Sequence, residues 1–408
     1  MKVTKKYIIA LILVITIVGA GFASFIIFLP SKKSFESKIR DLMVKYDISS
    51  LAAGIAINES LIWANGFGDQ FDLDTVYMIG SITKTFTATT LLQLNESDLI
   101  NLDGDINDYL PFDVRHPGYP STPITIHMLL THTAGLTKDF YYAISYYFDK
   151  ELIQWINAYF GTSYIYWDPK PSLEEFLNGS LNPSGPYYHP DNWVLEPGTE
   201  FFYSNAGFEL LGYLVEQVTN QSIVEYVQEN ILDPLNMTNS GYNYIDFTGM
   251  NAIPYERKER VILPWFTYES NFAIPFYNLS LNGAGSLRST VPDLAKYMIA
   301  HMNQGEYKGF QLLTPEKIEL MHEKHVLIPG AEPAGYGLGW FVIDGIQGHD
   351  GATPGFLSSM YMEESEQGTY GIIVMFNRGS SFVLDLELLT EFYPAILQLL
   401  LEKAEAAL

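Results

Sequence analysis

The segment Tyr77-Met-Ile-Gly80-Ser81-Ile-Thr-Lys84-Thr-Phe86 constrains this chain more than any other, because a turn residue, Gly80, delivers a serine to the start of a predicted helix. Residues three apart on a helix share a face, so the spacing puts the Lys84 amine within reach of the Ser81 hydroxyl. A serine alkoxide is hard to form at neutral pH, and a lysine whose pKa is lowered by burial and nearby cations can take the proton. Backbone N–H groups at a helix start favour negative charge developing at the same spot. S-x-x-K is short enough to recur by chance in 408 residues, so its meaning depends on partners elsewhere in the chain.

Around this helix, predicted to run to about Leu94, the pattern is mixed α and β. Ser37 to Tyr46 has helical spacing and predicts an amphipathic helix. Leu51 to Ile57 and Leu61 to Asn65 read as strands of a hairpin turning at Asn58-Glu-Ser60. Further strands are predicted over Trp340 to Ile343, near Gly348 to Ala352, over Phe356 to Met362 and over Gly371 to Phe376. Short Gly, Asp and Glu turns separate them, as in an antiparallel sheet. Leu384 to Leu401 predicts a closing helix. Thr290 reads as the cap of a helix carrying Leu294, Tyr297 and Met298 on its inner face. No repeat or low-complexity linker interrupts residues 34–408, which read as one composite domain.

Composition removes several function classes. A formal charge of −24 disfavours a nucleic-acid partner, since phosphate binding needs a basic face. The absence of cysteine excludes thiol nucleophiles, zinc-thiolate sites and disulfides. Leu102 to Asp108 fails as a calcium loop, because Asp108 stands where glycine is needed and Val114 where the closing glutamate is needed. His127 and His132, five residues apart, fall on different faces of a helix predicted to end at Gly135; internal hydrogen bonds are the preferred reading over metal binding. The aromatic stretch from Phe140 to Trp193 leaves three readings open: core of a helical subdomain, wall of an apolar cleft, or a Tyr and Trp belt at a membrane surface.

Residues Ile8 to Leu29 form an apolar run long enough for a bilayer, preceded by Lys2, Lys5 and Lys6. Residues 1–33 are therefore expected to be a single-pass signal anchor, with the rest of the chain extracytoplasmic. The alternative is a secreted protein cleaved near Gly21-Phe22-Ala23.

Two further segments carry candidate chemistry. In Tyr203-Ser204-Asn205, ahead of a helix with Leu210, Leu211, Leu214 and Val218 at core spacing, Tyr203 can act as general acid or base and Asn205 can hold a carbonyl. The other reading is that Tyr203 packs while Ser204 or Asn205 caps the helix. In Gly348-His349-Asp350-Gly351-Ala352, the glycine at 351 permits close approach to backbone and His349 can supply a proton or a positive charge.

Ser81-Ile-Thr-Lys84, Tyr203-Ser-Asn205 and His349-Asp-Gly351, in that order, resemble the three motifs of the penicillin-recognising serine hydrolases. Within these, the chain is similar to the branch of class C β-lactamases, D-alanyl-D-alanine carboxypeptidases, esterases and D-amino-acid peptidases. Leu129 to Leu136 and Gly283 to Ser289 share that similarity. The resemblance implies an α/β, β-lactamase/transpeptidase-like fold, an antiparallel sheet flanked by helices beside a mostly helical subdomain. It implies Ser81 as acylated nucleophile, Lys84 as its proton partner, Tyr203 as proton exchanger and Asn205 as substrate orienter. His349 stands where many relatives carry lysine, and the N–H groups of Ser81 and Ala352 form an oxyanion hole. No metal or cofactor is implied; the expected partner is a small-molecule or peptide substrate. The expected function is a membrane-anchored hydrolase acting through an acyl-serine on an ester or peptide-like amide, the alternatives being a non-catalytic binding protein or a β-lactamase proper. Asp350 departs from the family pattern, and a carboxylate facing the cleft there would repel a substrate carboxylate.

Overall fold

The computed structural model describes residues 33–68, 72–257, 261–263, 266–268, 271–381 and 385–408. Its centre is an eight-stranded antiparallel sheet. β1 (Ser50–Ile57) and β2 (Ser60–Gly68) form the predicted hairpin, turning through Asn58 at φ +50°. The other strands come from the C-terminal part: β3 (Val326–Leu327), β4 (Gly335–Tyr336), β5 (Phe341–Ile343), β6 (Ile346–Thr353), β7 (Phe356–Ser365) and β8 (Gly368–Phe376). Their order is β3-β4-β5-β6-β7-β8-β1-β2, with Leu51 opposite Phe376 and Ile57 opposite Tyr370 where the two parts of the chain join.

Side chains alternate between two cores, as a period of two requires. Ala52, Ala56, Met360, Met362, Ile373 and Met375 face one core; Leu51, Ile55, Leu357, Ile372, Val374 and Phe376 face the other. The second core is covered by α1 (Phe35–Lys45) and by α11 (Tyr393–Glu405), which follows a wider helical turn at Leu388–Phe392. With both faces covered, β1 reads as a continuous apolar run rather than an apolar-polar alternation.

The first core is shared with the helical part. This holds α2 (Thr83–Glu96), α3 (Ile126–Leu130), α4 (Ala143–Tyr147), α5 (Lys150–Phe160), α6 (Leu173–Leu181), α7 (Asn205–Thr219), α8 (Ile223–Val227), α9 (Val291–Met302) and α10 (Pro315–His322). α2 is buried along most of its length despite five threonines. Three of their hydroxyls find backbone acceptors: Thr83 donates to Gly80 O at 2.7 Å, Thr85 to Ile82 O at 2.8 Å and Thr87 to Gly283 O at 2.7 Å. A helix so satisfied can run through a core without orphaned polar atoms at those positions.

Several expectations change. α3 ends at Leu130, not Gly135, and the chain then turns through His132 at φ +58°. Both histidines make internal hydrogen bonds, His127 with His325 at 3.0 Å and His132 with the Ser204 amide at 3.1 Å. The inner part of the aromatic stretch is core, with Tyr146 stacked on Phe176 at 4.0 Å, while Tyr141 and Ile165 are exposed. The expected single-pass, extracytoplasmic membrane location is corrected: among the described residues no helix is long and apolar enough to cross a membrane. The run from Ile8 to Leu29 lies outside the described residues.

Candidate active site

Ser81 lies in a short 3-10 turn, Gly80–Ile82, that leads into α2. Gly80 takes φ +54°, and a β-carbon built there would stand 2.7 Å from the Ala352 nitrogen. Only glycine combines that backbone with so close an approach, so the Ser81 turn sits directly against β6. Ser358 of β7 fixes it by donating to Ile79 O at 2.9 Å. β5 pairs with β6 only as far as Gly348. Beyond it, His349 to Thr353 present an edge with no further strand among the described residues. Ser81 is partly exposed and Ala352 exposed at this edge.

Lys84, one turn after Ser81, is fully buried. Its Nζ lies 3.0 Å from Ser81 Oγ, 2.7 Å from Asn205 Oδ1 and 2.7 Å from Ala284 O. The last two partners are acceptors. A neutral amine therefore donates both its N–H groups to them and points its lone pair at the Ser81 hydroxyl. Burial lowers the Lys84 pKa to about 7, against the opposing pull of Asp139 and then Glu209.

Tyr203 precedes α7. Desolvation raises its pKa, while a hydrogen bond with Ser81 pulls the other way; near neutral pH it is a phenol, not a phenolate. Its ring packs on His132 at 4.4 Å and lies 5.0 Å from Lys84 Nζ. Ser204 is the cap of α7, accepting from Gly207 N at 2.9 Å and donating to Thr137 O at 2.7 Å. Capping by Ser204 leaves Asn205 free to turn inward, where it also donates to Asp139 Oδ1 at 2.9 Å. The structure thus brings Ser81, Lys84, Tyr203, Asn205, Gly351 and Ala352 to one cleft.

The third motif differs from expectation. His349 is buried, its Nδ1 donating to Asp350 O at 2.6 Å and its Nε2 accepting from the Tyr336 hydroxyl at 3.1 Å. Burial, with Lys84 adding to it, lowers its pKa to about 3. The positive charge expected of it at physiological pH is absent, and it serves as packing beside Tyr203, ring to ring at 6.2 Å. Asp350 does not face the cleft. Strand alternation turns it to the α11 side, where it accepts from Tyr361 at 2.7 Å, Tyr393 at 2.8 Å and Ser359 at 2.6 Å. The expected repulsion of substrate by Asp350 therefore has no source. Among the described residues no group of three or more His, Asp or Glu is placed to hold a metal ion.

The family profile described as β-lactamase matches residues 35–390. The chain belongs to the β-lactamase family. Among curated proteins it is 26% identical over 370 residues to Protein flp of Staphylococcus aureus (strain N315), covering 86% of this chain and 64% of that one. The chain thus spans just under two thirds of that relative's length. It is 31% identical over 184 residues to lovastatin esterase of Penicillium rubens, 42% of this chain and 40% of the esterase. Among solved structures, the octameric penicillin-binding protein homologue from Pyrococcus abyssi superposes with a TM-score of 0.68 at 26% identity, over 89% of this chain and 76% of that one. The β-lactamase-like fold, with its antiparallel sheet and flanking helices, is the one expected from the three motifs.

Sequence reasoning does not single out two carboxylates beside this β-lactamase-family site, Asp139 and Glu209. Asp139 follows closely on the Leu129 to Leu136 stretch and carries no pattern of its own. Glu209 left a signal: it is the one charged residue in the apolar run from Ala206 to Val215. A lone buried charge needs partners.

Proposed function

We infer that the protein is a serine hydrolase that acylates Ser81 with an ester or a peptide-like amide, within a catalytic unit spanning residues 34–408. The observation that carries this reading is the triple engagement of Lys84 by Ser81, Asn205 and Ala284, which orients an amine of lowered pKa for proton abstraction. Ser81 Oγ attacks the substrate carbonyl as its proton passes to Lys84. The Ser81 and Ala352 N–H groups receive the oxyanion, each such donor contributing about 2.7–4 kcal/mol to the barrier. Tyr203, neutral and hydrogen-bonded to Ser81, relays a proton to the leaving group. Asn205 orients the acyl portion, and water then releases the acid.

Neutral His349 offers no cation to a substrate carboxylate, and Asp139 beside Asn205 disfavours one. Both favour substrates without a carboxylate next to the scissile bond over penicillins. The similarity to lovastatin esterase supports an ester.

A fluorophosphonate probe, with p-nitrophenyl esters, D-amino-acid amides and a chromogenic cephalosporin compared side by side, tests this. Labelling and ester or amide turnover are expected, both lost in Ser81→Ala. Labelling that persists in that variant would sink the assignment.

A further inference from the structure

Glu209 lies on α7 one turn after Asn205 and is 2% exposed. Its Oε1 accepts from the Gly283 amide at 2.7 Å, and its carboxyl also accepts from the Ala284 amide. The same two residues present their carbonyls to α2: Gly283 O accepts from Thr87 and Ala284 O from Lys84, each at 2.7 Å. The Gly283–Ala284 turn is thus clamped between two helices, amides toward Glu209 and carbonyls toward the Ser81 helix. A β-carbon built at Gly283 would stand 2.2 Å from Phe208 O, so the turn lies against the backbone of α7 beside Glu209.

We propose that Glu209 is the positioning residue for Lys84: it holds the turn whose carbonyl fixes the amine. The proposal rests on the reading of Ser81 and Lys84 as nucleophile and base. The groups facing Glu209 are Lys84 from α2, Lys170 from the loop before α6, Tyr146 and Tyr147 from α4, and Tyr242. Burial raises the pKa of each of these tyrosines, which keeps them neutral near pH 7. Lys170 is tied to Ser280 Oγ at 2.6 Å, two residues before Asn282. Burial raises the Glu209 pKa to about 8, with Gly283 and then Lys84 pulling it down. Glu209 therefore still carries its proton where Lys84 loses one.

Glu209 keeps its proton to about pH 8 and is neutral while Lys84 titrates near 7, so a side chain that cannot ionise leaves the charge facing the amine unchanged. Glu209→Gln retains an acceptor for the Gly283 amide and removes the ionisation; Glu209→Ala removes both. The experiment measures the pH dependence of fluorophosphonate labelling in the wild type and both variants, with the Lys84 titration followed by NMR of lysine-labelled protein. In Glu209→Gln the labelling rate is expected to stay within about twofold of the wild type, with the Lys84 midpoint within about 0.3 pH unit. In Glu209→Ala the labelling rate is expected to fall at least tenfold at every pH, with rescue by Gln. A Gln variant that labels as slowly as the Ala variant, or an Ala variant that folds and labels at the wild-type rate, overturns the proposal. A wild type that never labels overturns the reading of Ser81 instead, and the Lys84 midpoint, displaced in Glu209→Ala and restored in Glu209→Gln, still decides the role of Glu209.

Discussion

At the scale of single residues, burial decides which ionisable groups can act near neutral pH. Lys84, Tyr203 and His349 all lose solvent, and desolvation moves each toward its neutral form. For the lysine, and only for it, that shift creates a base near pH 7. The acylation rate should therefore rise with pH and level off above about 7, the Lys84 value. It should show no separate limb near pH 6.5, where an exposed histidine would titrate. Stopped-flow labelling between pH 5 and 9 measures this, and a second limb, separate from that of Lys84 and lost in His349→Phe, would return His349 to the chemistry. Asp350 makes the complementary case. Its carboxylate accepts from three buried hydroxyls on the far side of β6. Ser359 and Tyr393 also bond each other and Tyr393 reaches Ser358 O, so Asp350→Ala should cost about 1–3 kcal/mol of stability, chiefly through the Tyr361 hydroxyl. A urea midpoint well below the wild type's is expected, with labelling of the folded protein within a fewfold. Residue types and spacing made Ser81, Lys84, Tyr203 and Asn205 legible in advance. The direction in which Asp350 points was not, because it depends on strand register, which pairs it with Ser359.

At the scale of elements, the site depends on one turn lying against one strand edge. The hairpin, the Ser81 helix and the C-terminal strands were readable, since their apolar runs and turn residues agree with the tertiary structure. The end of α3 was misplaced because Gly135 reads as a helix stop, whereas the chain leaves the helix at Thr131 and uses His132 in the left-handed region. The pairing of β8 with β1 joins residues over 300 positions apart, and nothing local encodes such a contact. Gly80 joins local and distant constraints, with φ +54° and no room for a β-carbon, which would meet Ala352 N at 2.7 Å and Gly351 at 3.0 Å. Gly80→Ala should cost about 1–2 kcal/mol for the left-handed backbone. It should also push the turn off β6, separating the two oxyanion donors. Displacement of that kind lowers acylation by about 10²-fold or more. The check compares labelling rate with thermal stability: a large loss of stability at unchanged rate would mean the Ser81 and Ala352 amides do not need this contact.

At the scale of the whole molecule, histidines buried without charge make the fold sensitive to acid. His322 and His349 have pKa values lowered by burial to about 3, and burial lowers His132 and His301 well below 6.5. All four gain protons in the unfolded chain near pH 6.5 but stay neutral in the folded one. The unfolded state then binds more protons, and stability falls as pH drops from about 6.5 toward 3. Glu209 opposes this, since its folded pKa of about 8 makes the folded state the proton binder between the ordinary carboxylate range and pH 8. Burial also raises Asp149 and Asp350, which oppose it in the same sense, so three carboxyls stand against four imidazoles and the histidines dominate. His301 and His322 are the pair to test, because they pack around Trp340, at 4.8 Å from each ring, in a part of the core that holds none of the cleft residues. His322→Phe removes one of the four titrating groups while keeping an aromatic ring. The slope of unfolding free energy between pH 4 and 6 should then flatten by up to about 1.4 kcal/mol per pH unit, one proton's worth. Urea denaturation at a series of pH values measures that slope. An unchanged slope would mean that His322 is protonated in the folded protein at those pH values, and that acid sensitivity arises elsewhere in the fold.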